Sequence, residues 1–196
     1  MTLVAHVTDL HLVEDDYRAR DDAARRRLEL LTLGRKKDPK ARRLRAIAAM
    51  RAAWDAGAEH LVVTGDLTED GVDAQFAVVA EVLAASPWPA HRVTLVPGNH
   101  DAYADAGAFD RALDGPLARF AATSRAGAMT VLDGAVVVAA STAIAQTYPR
   151  AIGALDEAAL ASIERAAELA EAGGRVAIAA MHHAPFAHAS ALKRWI

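Results

Sequence analysis

Aspartate, histidine and asparagine recur in this 196-residue chain at four places where an apolar run has just ended: Asp9 and His11, Asp66, Asn99 with His100 and Asp101, and His182 with His183. Carboxylate oxygen, imidazole nitrogen and amide oxygen together suit Mn, Fe or Zn ions. The sequence has no cysteine, which excludes thiolate sites and disulfides. Two carboxylates near several imidazoles can hold two divalent ions about 3.5–4 Å apart, an arrangement in which a metal-activated hydroxide attacks a phosphate ester. Imidazole also titrates near neutral pH and can move a proton. One strand-end Asp or His serves equally well as a cap or turn former. Four such ends in series are harder to assign to turns alone.

The runs that lead into these residues read as strands. Residues 3–8, 61–64, 92–96 and 175–181 are short, aliphatic or β-branched, and closed by polar or turn residues, most sharply at Pro97-Gly98. Strand ends along one edge of an open α/β sheet are where ligands gather. Helices fill the intervals. Leu28, Leu30, Leu31 and Leu33 give part of 13–40 an apolar face that stops at Gly34. Pro39 opens a second helix with Leu44, Ile47, Met50 and Trp54 on one side and Gly57 at its end. Val72, Phe76, Val79 and Leu83 mark a third. Phe109, Leu113, Leu117 and Phe120 suggest short helices broken around Gly115-Pro116, and 129–132 and 135–140 flank the hairpin turn Asp133-Gly134. Asp156 or a neighbour caps a last helix with Leu160, Ile163, Ala167 and Ala170 inward, ending at Gly173-Gly174. This alternation predicts an α/β fold with a mixed sheet or two packed sheets, in a single domain over 1–196. His6 is expected to be packed or hydrogen-bonded, and His60 has no motif context.

Charge is nearly balanced at −3, which argues against a general nucleic-acid binder. The balance hides a local excess: residues 18–45 hold 12 Lys/Arg against 4 Asp/Glu. That stretch reads either as an inserted pair of solvated helices, at about 13–45, or as a positive lid that attracts an anionic phosphate substrate or an acidic membrane surface. No apolar run approaches the roughly 18 residues of a membrane span, and no basic n-region with an apolar h-region opens the chain, so a cytoplasmic location is expected.

In order, the motifs are D-x-H (Asp9-Leu10-His11), G-D (Gly65-Asp66), G-N-H-D (Gly98-Asn99-His100-Asp101) and H-H-x-P (His182-His183-Ala184-Pro185). The series resembles the calcineurin-like metallophosphoesterases over residues 3–186. It looks most like bacterial members of the cyclic-nucleotide and glycerophosphodiester phosphodiesterase branch. It looks less like the Ser/Thr protein phosphatases, whose G-D-x-x-D-R is here Gly65-Asp66-Leu67-Thr68-Glu69-Asp70. The resemblance implies two packed mixed sheets flanked by helices, an αββα sandwich, and a phosphodiesterase with two divalent ions (Mn, Fe or Zn) acting on a small phosphate ester. It implies Asp9 and His11 on one metal, Asp66 bridging both, and Asn99 and His182 on the second. His100 would lie over the phosphate and stabilise or protonate the leaving oxygen. Asp101 would fix the neighbourhood of His100. His183 itself reads as structural, as standing behind the ligands, or as facing substrate.

One departure stands out. The family closes with G-H-x-H, which adds a ligand to each metal, and this sequence does not contain it. The ending Ala191-Leu192-Lys193-Arg194-Trp195-Ile196 reads as the opening of a helix, so a fragment of a longer protein, incomplete at its C-terminal strands, is expected, with a natural short form as the other reading. Two alternatives follow: a non-catalytic scaffold that binds a partner through an exposed sheet edge, or a nuclease subunit drawn to DNA by the basic stretch.

Overall fold

The structure, a computed structural model, describes residues 2–32, 34–147 and 150–185. Three parallel strands form the first sheet, in spatial order β1 (Val4–Val7), β2 (His60–Thr64) and β3 (Val93–Val96). Every residue of β2 and β3 is buried, which is why neither alternates between apolar and polar. Helices α1 (Asp22–Thr32) and α2 (Pro39–Asp55) lead from β1 to β2, and α3 (Asp73–Ala85) leads from β2 to β3. After α4 (Ala108–Asp114) and α5 (Ala121–Ser124), β4 (Met129–Val131) and β5 (Ala135–Ala139) form the antiparallel hairpin. α6 (Glu157–Ala172) then returns the chain to β6 (Val176–Ala180), parallel to β5.

Strand alternation sorts side chains into layers. Leu61, Val63, Val93 and Leu95 enter the main core with Met50 of α2, Phe76, Val79 and Leu83 of α3, and Phe109 and Leu113 of α4. On the opposite face, Val62 and Val96 pack against Val137, Ala139 and Ala180 of the second sheet. That sheet's outer face, Val136 and Val138, is covered by Ala166 and Ala170 of α6. The result is an αββα sandwich whose first sheet is wholly parallel and whose second is mixed. Valine and alanine in the inner layers let sheets and helix approach closely. Among the described residues β6 is an edge, and Val176 at its start is 65% exposed.

Two helices present a different face from the one their apolar spacing predicts. In α2, Ile47, Met50 and Trp54 pack inward, but Leu44 is 58% exposed and Arg42 is buried in its stead. A buried carboxylate draws that guanidinium inward, as described below. In α6, Ser162, Ala166 and Ala170 are buried, whereas Leu160 and Ala167 are exposed. An alanine-rich helix offers several similar stripes, and only the smallest lets it lie close on Val136 and Val138. α1 buries Leu28 and Leu31 as expected and leaves Leu30 exposed. Leu33 and the run 191–196 lie outside the described residues.

Two histidines sit on strands of the first sheet. His6 Nε2 meets Thr64 Oγ1, and fully buried His60 pairs with Thr94 through Nε2 at 2.9 Å. Burial, helped by the charges of Arg92 and His91, pushes the His60 imidazole from 6.5 down to about 4. The unfolded chain therefore binds a proton on His60 across that interval while the folded chain does not. Stability from this group is complete above about pH 6.5 and falls as pH drops toward 4, by about 3 kcal/mol. Urea denaturation of His60→Gln should lose less stability between neutral and acid pH than wild type. Equal losses would remove His60 from the acid response.

Candidate metal centre

The ends of β1, β2, β3 and β6 meet at one edge of the sandwich, so residues far apart in sequence become neighbours. The loops after β1 and β2 are laced by backbone hydrogen bonds: Asp9 N–H to Gly65 O at 3.2 Å, His11 N–H to Asp66 O at 2.8 Å, and Leu12 N–H to Leu67 O at 3.0 Å. Leu12 and Thr68 extend the parallel pairing past the strands. Asp9 (φ 57°), His11 (φ 47°) and Asp66 (φ 47°) are the non-glycine residues with left-handed backbone among the described residues. Such conformations cost of order 1–3 kcal/mol each and persist where surrounding structure fixes them. Here they aim three donor side chains at one another.

His11, Asp66 and His100 each offer a ligand atom within 4.8 Å of the others, and they are the candidate metal group among the described residues. His11 Nε2 lies 3.7 Å from Asp9 Oδ1 and 3.8 Å from Asp66 Oδ2. His100 Nε2 lies 4.0 Å from Asp66 Oδ2, and His182 Nε2 lies 3.5 Å from Asp66 Oδ1. These gaps are too long for hydrogen bonds. They fall within about 4.2 Å, twice the usual Zn–N or Zn–O distance, so an ion could sit between each pair. The rings are set for that role. His100 Nδ1 donates to Glu69 O at 2.6 Å and His182 Nδ1 donates to Thr64 O at 2.9 Å, which leaves each Nε2 with a lone pair toward Asp66. His11 holds Asp9, half exposed, at about 2, so its carboxylate is ionised throughout the neutral range. Burial lowers His100, which favours its neutral, electron-donating form. The donor set fits divalent cations.

Asn99 is buried beside this group, and its amide nitrogen donates to Tyr103 Oη at 3.1 Å, which orients its oxygen as the end available to a cation. Asp101 lies within the protein, 1% exposed, and serves as a tie. It accepts from Leu67 N–H, Thr68 N–H, Thr68 Oγ1 and Gly98 N–H at 2.7–3.1 Å, joining the Asp66 loop to the His100 loop. Burial and the nearby Asp66 charge raise its carboxyl to about 6. No face of it reaches the open edge. His183 stands outside the cluster: its Nδ1 pairs with Thr142 Oγ1 at 2.8 Å, and burial with His182 alongside pushes it to about 4.

Sequence reasoning passed over Glu14, Glu69 and Asp70. Arg42 and Arg35 both bond to fully buried Glu69, the latter at 2.8 Å. Arg20 and Arg27 bond to fully buried Asp70 at 2.8 and 3.0 Å, and Arg20 also reaches Glu14. Gln75 binds the Glu69 and Asp70 amides and the Glu14 carboxylate. The basic stretch is thus neither simply solvated nor simply a positive lid, because four of its guanidiniums neutralise three buried acids. The available signal was the acidic pair directly after Gly65-Asp66-Leu67-Thr68, facing a stretch rich in unmatched cations. Glu69 also lies 3.8 Å from His11 Nδ1 and 3.9 Å from His100 Nδ1, so it stands directly behind both rings.

Backbone packs so closely here that glycine is required. A Cβ on Gly98 would fall 2.3 Å from Asp66 Oδ1 and 2.4 Å from Asp66 N, and one on Gly65 (φ +77°) 2.3 Å from His182 Nδ1. Gly98→Ala should displace Asp66 while the distant core holds, costing about 1–3 kcal/mol by overpacking. Mn²⁺ should then raise the melting temperature of Gly98→Ala much less than that of wild type. Equal metal-induced shifts would show that the loop yields without moving Asp66.

Fold and cluster together define a class: an αββα sandwich with a candidate divalent-metal site at its strand ends. Residues 2–192 match the family described as calcineurin-like phosphoesterase, and the chain belongs to that family. Among solved structures it is similar to TT1561 of Thermus thermophilus, with 20% identity and a TM-score of 0.48 over 76% of this chain and 65% of that one. It therefore spans less than two thirds of that relative's length. No curated protein matches it. Among the described residues no helix is long and apolar enough to cross a membrane.

Proposed function

We propose that the chain acts as a phosphodiesterase that uses two divalent ions. The observation that carries this reading is the Asp66 carboxylate, whose two oxygens face different imidazoles: Oδ2 toward His11 and His100, Oδ1 toward His182. A carboxylate set that way suits a bridge between two cations. Asp9 and His11 would complete one side, and Asn99 and His182 the other. Bound there, the ions would supply Lewis acidity and would lower the pKa of a water enough for it to ionise and serve as the nucleophile near neutral pH. The protein's own residues bind and orient. Asp101 holds the two loops in register, and Glu69 O fixes the His100 ring with its Nε2 lone pair free to take up a proton from water and pass it to the leaving oxygen. The motif variant that resembles bacterial phosphodiesterases favours a diester over a monoester.

Hydrolysis of an aryl phosphodiester with Mn²⁺, abolished by a chelator and restored by added metal, is the test. Stoichiometric metal binding without any hydrolysis would favour the scaffold reading instead. A second role for His100, as a ligand, is favoured by its place in the cluster with His11 and Asp66. His100→Asn separates the two roles. A proton donor's loss lowers kcat with metal content intact, and a ligand's loss lowers metal content too.

A further inference from the structure

A cavity of about 540 Å³ opens beside the centre, with Asp9 and His11 at one end and Arg35, Lys36 and Arg45 around the rest. Leu10, Ala46 and Ala49 give it an apolar wall. Its charges are not all equivalent. Arg35 and Arg42 share the single carboxylate of Glu69, so that pair keeps a net positive charge. Lys36 and Arg45 are exposed and bond to no carboxylate among the described residues; Arg45 Nε donates only to Ala41 O. Arg42, Arg45, Ala46 and Ala49 follow one another along one face of α2, a path of about 10 Å. That path begins at the centre, because Arg42 also donates to His11 O. Away from Asp9 at the metal-centre end, the charges lining this concave surface are all positive, and such a surface concentrates the opposite charge.

We propose that this groove is a subsite for a second phosphate, carried on the part of the substrate that does not react, and held by Lys36 and Arg45. The apolar wall would face the body linking the two phosphates, and the guanidinium of Arg45 can grip phosphate oxygens bidentately. The substrate class is then a phosphate diester with an additional phosphate roughly one nucleoside length away. The kinetic part rests on the hydrolytic reading above; the binding part does not.

The experiment compares wild type with the double variant Lys36→Ala/Arg45→Ala, both surface changes that leave the core untouched. The probes are two p-nitrophenyl diesters of thymidine phosphate that differ only by a second phosphate on the distal sugar hydroxyl. Wild type should favour the doubly phosphorylated ester, less so at high salt. The double variant should lose that preference by roughly tenfold, through KM rather than kcat. Calorimetry with inorganic pyrophosphate on metal-free protein should show binding to wild type that weakens severalfold in the variant. An unchanged preference, or a wild type that has none, overturns the subsite. If neither ester is hydrolysed with Mn²⁺ present, the hydrolytic reading fails, and pyrophosphate binding then decides the subsite: loss in the variant supports it and equal binding overturns it.

Discussion

Replacing Asp66 with asparagine should reverse the order of stability between variant and wild type when metal is added. Without metal, the Asp66 charge opposes ionisation of Asp101, which it helps to raise to about 6, and it lies at an edge that also carries ionised Asp9. Asparagine removes that repulsion and can still accept the His100 N–H bond that Asp66 Oδ1 accepts at 3.0 Å. In chelator, Asp66→Asn should therefore melt at or above wild type. With Mn²⁺ at a hundred times its dissociation constant, wild type gains about 2.7 kcal/mol by mass action. The variant lacks the shared anion and should gain little. Metal-dependent hydrolysis should fall at least ~1000-fold, since Lewis acidity supplies several kcal/mol of the barrier reduction. Thermal melts with chelator and with Mn²⁺, beside rates on an aryl phosphodiester, give the whole pattern. Undiminished activity in Asp66→Asn would remove Asp66 as a bridge. A wild type that Mn²⁺ fails to stabilise would remove the centre itself.

Strand ends were legible in the sequence because their signal is local. Leu61 to Gly65 and Val93 to Gly98 carry an apolar run and its punctuation in consecutive residues, and Asp133-Gly134 marks its hairpin in the same way. The main-core face of α3 was legible too, since Phe76, Val79 and Leu83 follow one another at helical spacing into a large apolar core. The faces of α2 and α6 were not. Leu44 outranks Arg42 on any scale of hydrophobicity, yet Arg42 is inside, because its partner Glu69 comes from a loop 27 residues on. Periodicity measures a residue's own preference for water and cannot register a counter-charge from elsewhere in the chain. Glu69 and Asp70 escaped notice for the same reason. Beside Asp66 they resemble a solvated turn until the cations of the basic stretch are folded onto them.

Glu69 is where that buried charge and the centre meet, so its removal should have the largest effect on the fold. The carboxylate is fully buried and bonded to Arg42, itself 7% exposed, and it stands behind His11 and His100. Glu69→Ala leaves the Arg42 guanidinium buried without its counter-ion, a loss of about 3–5 kcal/mol for such pairs. Exposed ion pairs are worth only about 0–1 kcal/mol, so the size of the effect reports the burial directly. Arg42→Met in the same background should recover much of the loss, since an apolar side chain in place of a buried charge is often neutral or stabilising. A double-mutant cycle by urea denaturation should then show coupling of at least about 2 kcal/mol between positions 69 and 42. Activity should not return with stability. His100 keeps its bond to the Glu69 backbone oxygen, but both rings lose the carboxylate behind them and α2 loses the tie that holds it against the centre. Coupling below about 0.5 kcal/mol would mark the pair as no stronger than a surface contact. Full activity in the stabilised double variant would show that the buried charges set the fold and leave the metal site alone.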